Sequence, residues 1–229
     1  MNFLSAWFGQ PLMLAADAVL LLLLLASAKQ ALAAVTLRPA ACAAAVLLTA
    51  VLWGLHVELG DGQLAGMTYH LLGISLITLM LGAPAALWLG VIMLLPYTVL
   101  LHGSANLSVI GLNALFLLLP PIAVNVALRR LSLRLPAHLF IYIFVNGFIT
   151  AALGMLATGL MLMWLLEAAG VYPPQVLWAS AFPVFFLLVW GEAFLTGLLT
   201  AVFVALVPGL LATFDDARYL QNKNIIWKL

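Results

Sequence analysis

Long apolar segments alternate with short polar breaks along almost the whole of this chain. Polar residues are few within each segment, and charged residues, glycine or proline mark the breaks. Because a bilayer core about 30 Å thick needs about 20 apolar residues in a helix, such a segment predicts a membrane-spanning helix. The pattern predicts about seven of them, at residues 12–28, 40–55, 69–81, 84–101, 107–128, 138–166 and 177–207.

The third of these segments, residues 69–81, is the shortest. Gly82 and Pro84 separate it from the fourth segment, and residues of these two types typically mark a turn. We therefore expect the third segment to be tilted, partly re-entrant, or buried by its neighbours rather than to cross the bilayer as a simple helix.

Composition narrows the class of protein further. With 67% hydrophobic and 7% charged residues, little chain remains for a water-facing domain. We predict an all-α polytopic membrane helix bundle, with residues 1–229 as a single integral membrane domain and a cytoplasmic tail from about residue 208. A net charge of +1 gives no basic patch for nucleic acid, and the single Cys42 excludes a disulfide within the chain.

The basic residues predict an orientation. With seven crossings, all eight fall on one side of the membrane, which the positive-inside rule makes cytoplasmic. The N-terminus then lies outside, together with Glu58, Asp61 and Glu167. The basic residues are Lys29, Arg38, Arg129, Arg130, Arg134, Arg218, Lys223 and Lys228.

Three of the four histidines fall at the outer face in this topology. His56 ends the second segment, His70 begins the third, and His102 ends the fourth. Imidazole is a common ligand of divalent transition metals, so three at one depth could hold such an ion. The alternative is that these residues only bridge lipid headgroups and water. His138 lies at the inner face and is interpreted as a helix-start residue.

A few polar residues lie within the predicted spans. Glu192 is deep in the last segment, where an acid is costly and needs a polar partner or cavity. We expect Asn113 or Asn146 to be that partner, with a structural hydrogen-bond network between helices as the alternative to a transport role. Asp17 lies about 8 Å into the first segment at 1.5 Å per residue and could instead extend its carboxylate outward.

A stripe of small residues follows one face of the last segment at every fourth position. Such stripes let helices approach closely. The stripe predicts either packing within the bundle or docking of a separate membrane subunit. Its members are Ala193, Gly197, Ala201, Ala205 and Gly209, and Ala41 and Ala45 repeat the pattern more weakly.

Several short motifs resemble the CbiM-type cobalt/nickel permeases, the substrate-binding membrane components of energy-coupling factor ABC transporters. Their order along the chain carries more weight than any single motif. The last three of them also resemble a proteobacterial branch of unestablished substrate. The motifs are Gly66–Gly73 with its His-Leu-Leu-Gly, Leu81–Pro84, Gly111–Asn113, Tyr142–Asn146, Gly191–Gly197 and Ala212–Leu220.

The resemblance implies about seven helices, an external N-terminus and a metal site near the outer face. It also implies separate partners, namely a transmembrane coupling subunit and cytoplasmic ATPases. Within the family's His-Leu-Leu-Gly motif the metal ligand corresponds to His70. The family's terminal amine corresponds to Met1, so the resemblance places the site at His70 and Met1. His56 and His102, at similar depth on the outer side, are the candidates to join them.

One residue departs from the family pattern. The family begins Met-His-Ile, and its terminal amine, second amide and His side chain help to form a square-planar site. This chain begins Met1-Asn2-Phe3, and Asn2 supplies no imidazole. Either His56 or His102 substitutes, or the metal differs, or the site is lost. Square-planar nitrogen ligation suits Ni or Cu, whereas several imidazoles suit Zn equally well.

The leading interpretation is a substrate-binding component for uptake of a divalent transition metal, with Ni or Co favoured by resemblance and Zn or Cu as alternatives. It is a multi-pass protein of the bacterial inner membrane, in contact with lipid, with no tightly bound cofactor. No Walker or hydrolase motif is present, so we predict that it is not an enzyme. The alternatives are a non-transporting assembly factor that packs against partner helices and, less favoured, an intramembrane enzyme that uses the histidines and Glu192.

The orientation can be tested by cysteine labelling in a Cys42→Ser background. A cysteine at Gly60 should react with an impermeant maleimide from outside, and one at Gln221 only after the membrane is permeabilised. The reason is the complete asymmetry of Lys and Arg. Labelling of both positions from the same side would contradict the seven-crossing topology.

Overall fold

Each of the seven apolar segments contains a helix in the computed structural model, which describes residues 2–60 and 62–219. A 3₁₀ turn at Ser5–Trp7 precedes them, and a 3₁₀ turn at Pro208–Leu210 and the short helix α8 (Asp216–Tyr219) follow. The main helices are α1 (Gln10–Leu37), α2 (Pro39–Gly54), α3 (Ile74–Leu81), α4 (Ala83–His102), α5 (Ser104–Ser132), α6 (Leu139–Ala168) and α7 (Pro174–Leu206).

Proline and glycine set the boundaries where the chain turns between helices. Pro39 occupies the first turn of α2 directly after Arg38 ends α1, where its missing N–H costs no hydrogen bond. Gly82 separates α3 from α4 with a φ of 84°, a conformation that residues with a Cβ rarely adopt. The turn predicted from Gly82 and Pro84 is therefore present.

The helices differ in how they relate to the membrane. Five of the described helices are long and apolar enough to cross it: α1, α4, α5, α6 and α7. At 1.5 Å per residue, α2 is about 24 Å long and α3 only about 12 Å. All eight residues of α3 are buried, and it contacts α2, α4, α5, α6 and α7. Of the alternatives for the third segment, burial by neighbouring helices is the one observed.

The outer surface of the bundle is apolar, as lipid contact requires. On α1, the side chains of Leu21, Leu22 and Leu25 are more than half exposed. On α7, Leu187 and Phe194 are exposed to a similar degree. Helices that present large apolar side chains outward and bury small ones inward are typical of membrane bundles.

A two-stranded hairpin interrupts the helices between α2 and α3. Strand β1 (Val57–Glu58) pairs antiparallel with β2 (Thr68–Tyr69), with Val57 opposite Tyr69. Residues of β2 are buried and those of β1 are exposed. The hairpin therefore leads the chain from the surface into the interior just before His70.

Charged and polar groups gather at the two ends of the bundle. At one end, Arg38 Nη1 donates to Gly209 O at 2.9 Å, and Arg218 Nη2 donates to Leu133 O at 2.8 Å. At the other end, Tyr172 Oη donates to Ala65 O at 2.7 Å. The first loop, the α5–α6 loop and the described part of the tail thus meet at one end, which is the grouping that the charge pattern predicts.

The small-residue stripe of α7 is used inside the bundle along its first half. Gly197 lies against Phe148, where an added Cβ would be 3.2 Å from the Phe148 Cβ, and Gly147 faces Thr200. Ala205 and Gly209, at the far end of the stripe, are exposed. Internal packing therefore explains the part of the stripe that contains Gly197.

Close backbone contact also joins α1 to α5. Gly111 N donates to Asp17 Oδ1 at 2.9 Å, so this carboxylate faces the bundle and does not extend outward. A Cβ on Gly111 would lie 2.5 Å from the Asp17 backbone nitrogen and 2.7 Å from the Ala16 carbonyl carbon. Only glycine permits this approach.

The substitution Gly111→Ala should therefore destabilise the protein by about 1–3 kcal/mol, the usual range for overpacking. Thermal unfolding of detergent-purified protein measures the effect as a lower Tm. The matched control is Gly54→Ala, because a Cβ there meets no atom within 4 Å. Equal Tm values for the two variants would contradict the close α1–α5 contact.

Candidate metal centre

The N-terminal segment enters the bundle as extended chain before the 3₁₀ turn. Asn2 and Phe3 are only 3% and 1% exposed. Asn113 on α5 holds this segment on both sides of Phe3: its Oδ1 accepts from Phe3 N at 2.6 Å, and its Nδ2 donates to Phe3 O at 3.3 Å. Asn113, predicted as an intramembrane polar residue, therefore replaces the backbone partners that an extended chain lacks.

The bonds of Asn2 place the start of the chain beside β2 and α4. Its backbone N donates to Thr68 Oγ1 at 3.2 Å, and its side-chain Nδ2 donates to Thr98 Oγ1 at 3.1 Å. Its Oδ1 is buried and has no hydrogen-bond partner among the described residues. Met1, predicted to supply the amine ligand, lies outside the described residues.

His70 lies in the extended segment between β2 and α3 and is 3% exposed. Its Nδ1 is 2.9 Å from Leu71 O, and since a carbonyl can only accept, Nδ1 carries the proton. Nε2 is therefore the basic nitrogen, and it is buried without a partner in the part of the chain that the structure describes. A metal-ligating histidine usually donates the N–H of its other ring nitrogen to a carboxylate, a backbone carbonyl or water.

Burial also favours the neutral imidazole. His70 is packed against Trp53 and Tyr97, and its removal from solvent disfavours the charged form of the ring. Metal binding needs an unprotonated nitrogen, so burial favours the binding-competent form.

Two aromatic side chains enclose the imidazole. The ring centroids of Trp53 and Tyr97 lie 5.6 Å and 5.3 Å from that of His70. His56 also contacts Tyr97, with 6.1 Å between ring centroids. Tyr97 therefore lies against both histidines.

The three predicted outer-face histidines do not form one cluster. Across residues 2–60 and 62–219, no three His, Cys, Asp or Glu side chains come together as a metal-holding group. His56 Nδ1 is instead 3.2 Å from Trp53 O. His102 follows Tyr97 by five residues on α4, which turns it about 140° away at 3.6 residues per turn. Similar depth in the membrane did not imply the same helix face.

Glu192 has polar partners, but not those expected. Its Oε2 accepts from Leu72 N at 2.9 Å and its Oε1 accepts from Gly73 N at 2.7 Å. The expectation of Asn113 or Asn146 as partner was wrong. Asn146 Oδ1 instead accepts from Ser132 Oγ at 2.9 Å. The reason is that the irregular backbone before α3 leaves two adjacent N–H groups with no partner of their own.

Sequence reasoning missed the residues that hold the His70 segment. Trp53 Nε1 donates to Leu72 O at 3.0 Å, and Tyr97 packs on the imidazole. Gly73 has a φ of 68° at the start of α3. A glycine directly before an apolar helix was the available signal that the chain turns sharply there.

The fold and the buried histidine define a class of protein: a polytopic helix bundle that buries the segment from Asn2 to Phe3 and also buries an imidazole nitrogen that has no partner among the described residues. A family described as "cobalt uptake substrate-specific transmembrane region", CbiM, matches residues 2–210. The chain belongs to this family. It is therefore a multi-pass membrane protein of a metal-uptake transporter family, and not an enzyme.

Two solved structures share the fold. One, described as the crystal structure of a transition metal transporter, has a TM-score of 0.72 at 19% identity over 90% of this chain and 93% of that chain. The other, a truncated transition metal transporter, has a TM-score of 0.65 at 21% identity, covering 90% and 98%. Comparison with curated proteins yields no significant match.

Replacing Asn113 tests how the N-terminal segment is held. Asn113→Ala removes both bonds to Phe3, so amide exchange at residues 2–8 should accelerate by tenfold or more, the equivalent of about 1.4 kcal/mol. Hydrogen–deuterium exchange by mass spectrometry measures it. The matched control is Asn125→Ala, which removes a bond to Ser75 O elsewhere in the bundle. Unchanged exchange at residues 2–8 in Asn113→Ala would contradict this anchoring.

Proposed function

We propose that this chain is the substrate-binding membrane component for uptake of a divalent transition metal, with Ni or Co as the cargo. The observation that carries the proposal is the Nε2 of His70, which is buried and has no partner within residues 2–60 and 62–219. A basic nitrogen without a partner in a low-dielectric interior is costly unless something binds it. A metal ion is the ligand that matches its chemistry.

The proposed metal-ligating atoms are those that this chain shares with the family pattern. The terminal amine of Met1 and Nε2 of His70 are independent of the residue change at position 2. The backbone nitrogen of Asn2 is too, but it would have to lose its proton, and with it the bond to Thr68 Oγ1, to bind metal. The lost imidazole leaves a fourth position, for which the Oδ1 of Asn2, buried and unpartnered in the described structure, is the adjacent candidate. His56 is the alternative, since it contacts the same Tyr97 ring as His70 does.

An oxygen at the fourth position changes the expected selectivity. Imidazole and amide nitrogens favour Ni and Cu in square-planar geometry, whereas an added oxygen donor lowers that preference. We therefore expect this site to discriminate less sharply for Ni over Co than a site with the full nitrogen set.

Energy for transport must come from other proteins. The chain has no nucleotide-binding motif, so ATP hydrolysis requires separate ATPases and a transmembrane coupling subunit. The assembly-factor alternative rested on the small-residue stripe. Its support is reduced because Gly197 is packed against Phe148 within the bundle.

The proposal predicts metal binding that depends on His70. Protein with an unmodified N-terminus and a C-terminal affinity tag, stripped of metal, should bind about one equivalent of Ni(II) or Co(II). His70→Ala should weaken binding by 100-fold or more, since it removes a ligand rather than a supporting group. Isothermal titration calorimetry and elemental analysis measure both quantities.

The matched control is His138→Ala. His138 lies at the start of α6, where its Nδ1 accepts from Phe140 N at 3.1 Å, far along the chain from the site. This variant should bind as the wild type does. If wild-type protein binds none of Ni, Co, Zn or Cu, or if His70→Ala binds equally well, the proposed function is wrong.

A further inference from the structure

Glu192 and His70 are joined through a single peptide group. Glu192 Oε2 accepts from the N–H of Leu72 at 2.9 Å, and the carbonyl of that same peptide unit, Leu71 O, lies 2.9 Å from His70 Nδ1. We propose that Glu192 is a positioning residue for the metal site, which sets the orientation and tautomer of His70 through this peptide. The inference rests on the proposed function for its consequence, metal binding, but not for its geometry.

A peptide group transmits orientation because it is planar. Its C=O and N–H point in opposite directions and rotate together, so a partner that fixes the N–H also fixes the C=O. With Leu72 N–H directed at the carboxylate, Leu71 C=O is directed at the imidazole. The resulting series of hydrogen bonds runs from the carboxylate through the peptide to the imidazole, and Nε2 at its end has no partner in the part of the chain that the structure describes.

The carboxylate also affects the strength of these bonds. Hydrogen bonds to an ionised carboxylate are stronger than neutral ones, and bonds in a chain polarise each other in a low-dielectric interior. The carboxylate polarises the peptide group, which makes Leu71 O a better hydrogen-bond acceptor. That favours the proton on Nδ1 and raises the basicity of Nε2, as a carboxylate bonded directly to a ligating histidine does.

The second oxygen of Glu192 explains why an acid is used here. Its Oε1 accepts from Gly73 N at 2.7 Å, so one side chain satisfies two successive amides. Glutamine could accept only one of them through its oxygen, and its NH₂ group would face the other N–H. Gly73 adopts a φ of 68°, which turns the chain at the start of α3.

The segment is held from the opposite side by α2. Trp53 Nε1 donates to Leu72 O at 3.0 Å, and Leu52 lies so close to Gly73 that an added Cβ would be 2.7 Å from its Cδ1. Beside Glu192 on α7, Gly191 makes room for the side chain of Leu71. The backbone after His70 is thus fixed between α2 and α7, and α7 supplies the only charge among these contacts.

The first experiment needs no metal. In protein labelled with ¹⁵N-histidine, the ring nitrogen shifts of His70, assigned by comparison with His70→Ala, report which nitrogen carries the proton. The wild type should show the Nδ1–H tautomer. Glu192→Gln should shift the population towards Nε2–H, because Leu71 O is no longer oriented. An unchanged tautomer in Glu192→Gln would overturn the inference.

The second experiment measures the consequence for metal. Glu192→Gln should weaken Ni(II) or Co(II) binding by about tenfold, the lower range for groups that orient a ligand. Bound Cu(II), used as a probe at saturation, should give an altered electron paramagnetic resonance spectrum, which a loss of fold stability alone would not produce. The matched control is Glu167→Gln, which removes an exposed carboxylate bonded to Trp178 Nε1.

A double-mutant comparison separates positioning from general stability. In a His70→Ala background, Glu192→Gln should have no further effect on metal affinity, because Glu192 acts through His70. Additive losses would contradict the proposal. So would a Glu192→Gln variant with a lower Tm but wild-type affinity and spectrum, which would make Glu192 purely structural.

The two proposals can fail separately. If the wild type binds no metal but Glu192→Gln still shifts the His70 tautomer, the proposed function is wrong and the positioning role stands. If metal binding depends on His70 but both the affinity and the tautomer are indifferent to Glu192, the positioning role is wrong and the function stands.

Discussion

The structure depends on satisfying irregular backbone inside a membrane bundle. A helix pairs its own N–H and C=O groups, but an extended segment in an apolar interior must find partners elsewhere. Transfer of a polar group from water to hydrocarbon without a partner costs about 4–8 kcal/mol. The segment after β2 meets this requirement with the carboxylate of Glu192 on one side and the indole of Trp53 on the other. Because these partners satisfy the backbone, His70 can lie in a segment that is not helical.

The N-terminal segment solves the same problem with neutral side chains. Asn113 pairs with both backbone groups of Phe3, and Asn106 Oδ1 accepts from Ser5 N at 2.8 Å. An asparagine amide carries a donor and an acceptor and so can imitate a neighbouring strand. The N-terminal segment therefore meets strand β2 where Asn2 bonds to Thr68, directly before the irregular segment that Glu192 holds. The candidate metal centre is a consequence of that meeting.

Helix α3 provides the rigid support for this arrangement. It is short and fully buried, and it is surrounded by five other helices. Its far end is also fixed, since Ala212 and Thr213 donate their amides to Met80 O and Leu79 O at 3.1 Å and 3.2 Å. The same helix thus connects the His70 segment to the tail that follows α7.

The apolar helices and the turn between the third and fourth of them could be read from the sequence. Every apolar segment contains a helix, and the turn at Gly82 and Pro84 lies where it was predicted. These features are local, because hydrophobic length and the backbone preferences of Gly and Pro act over a few residues. The resemblance identified the family because short motifs occur in this chain in the family's order, although the identity to the two solved structures is low.

Partnerships across the bundle were decided only by tertiary structure. The sequence alone determined that Glu192 needs a polar partner, but not that the partner is the backbone of Leu72 and Gly73, because every residue but proline carries the same N–H group. It placed His56, His70 and His102 at one depth, yet across the described residues no three His, Cys, Asp or Glu side chains form a metal-holding group. Depth depends on residue counts along one helix, whereas contact depends on how several helices are rotated and packed against each other.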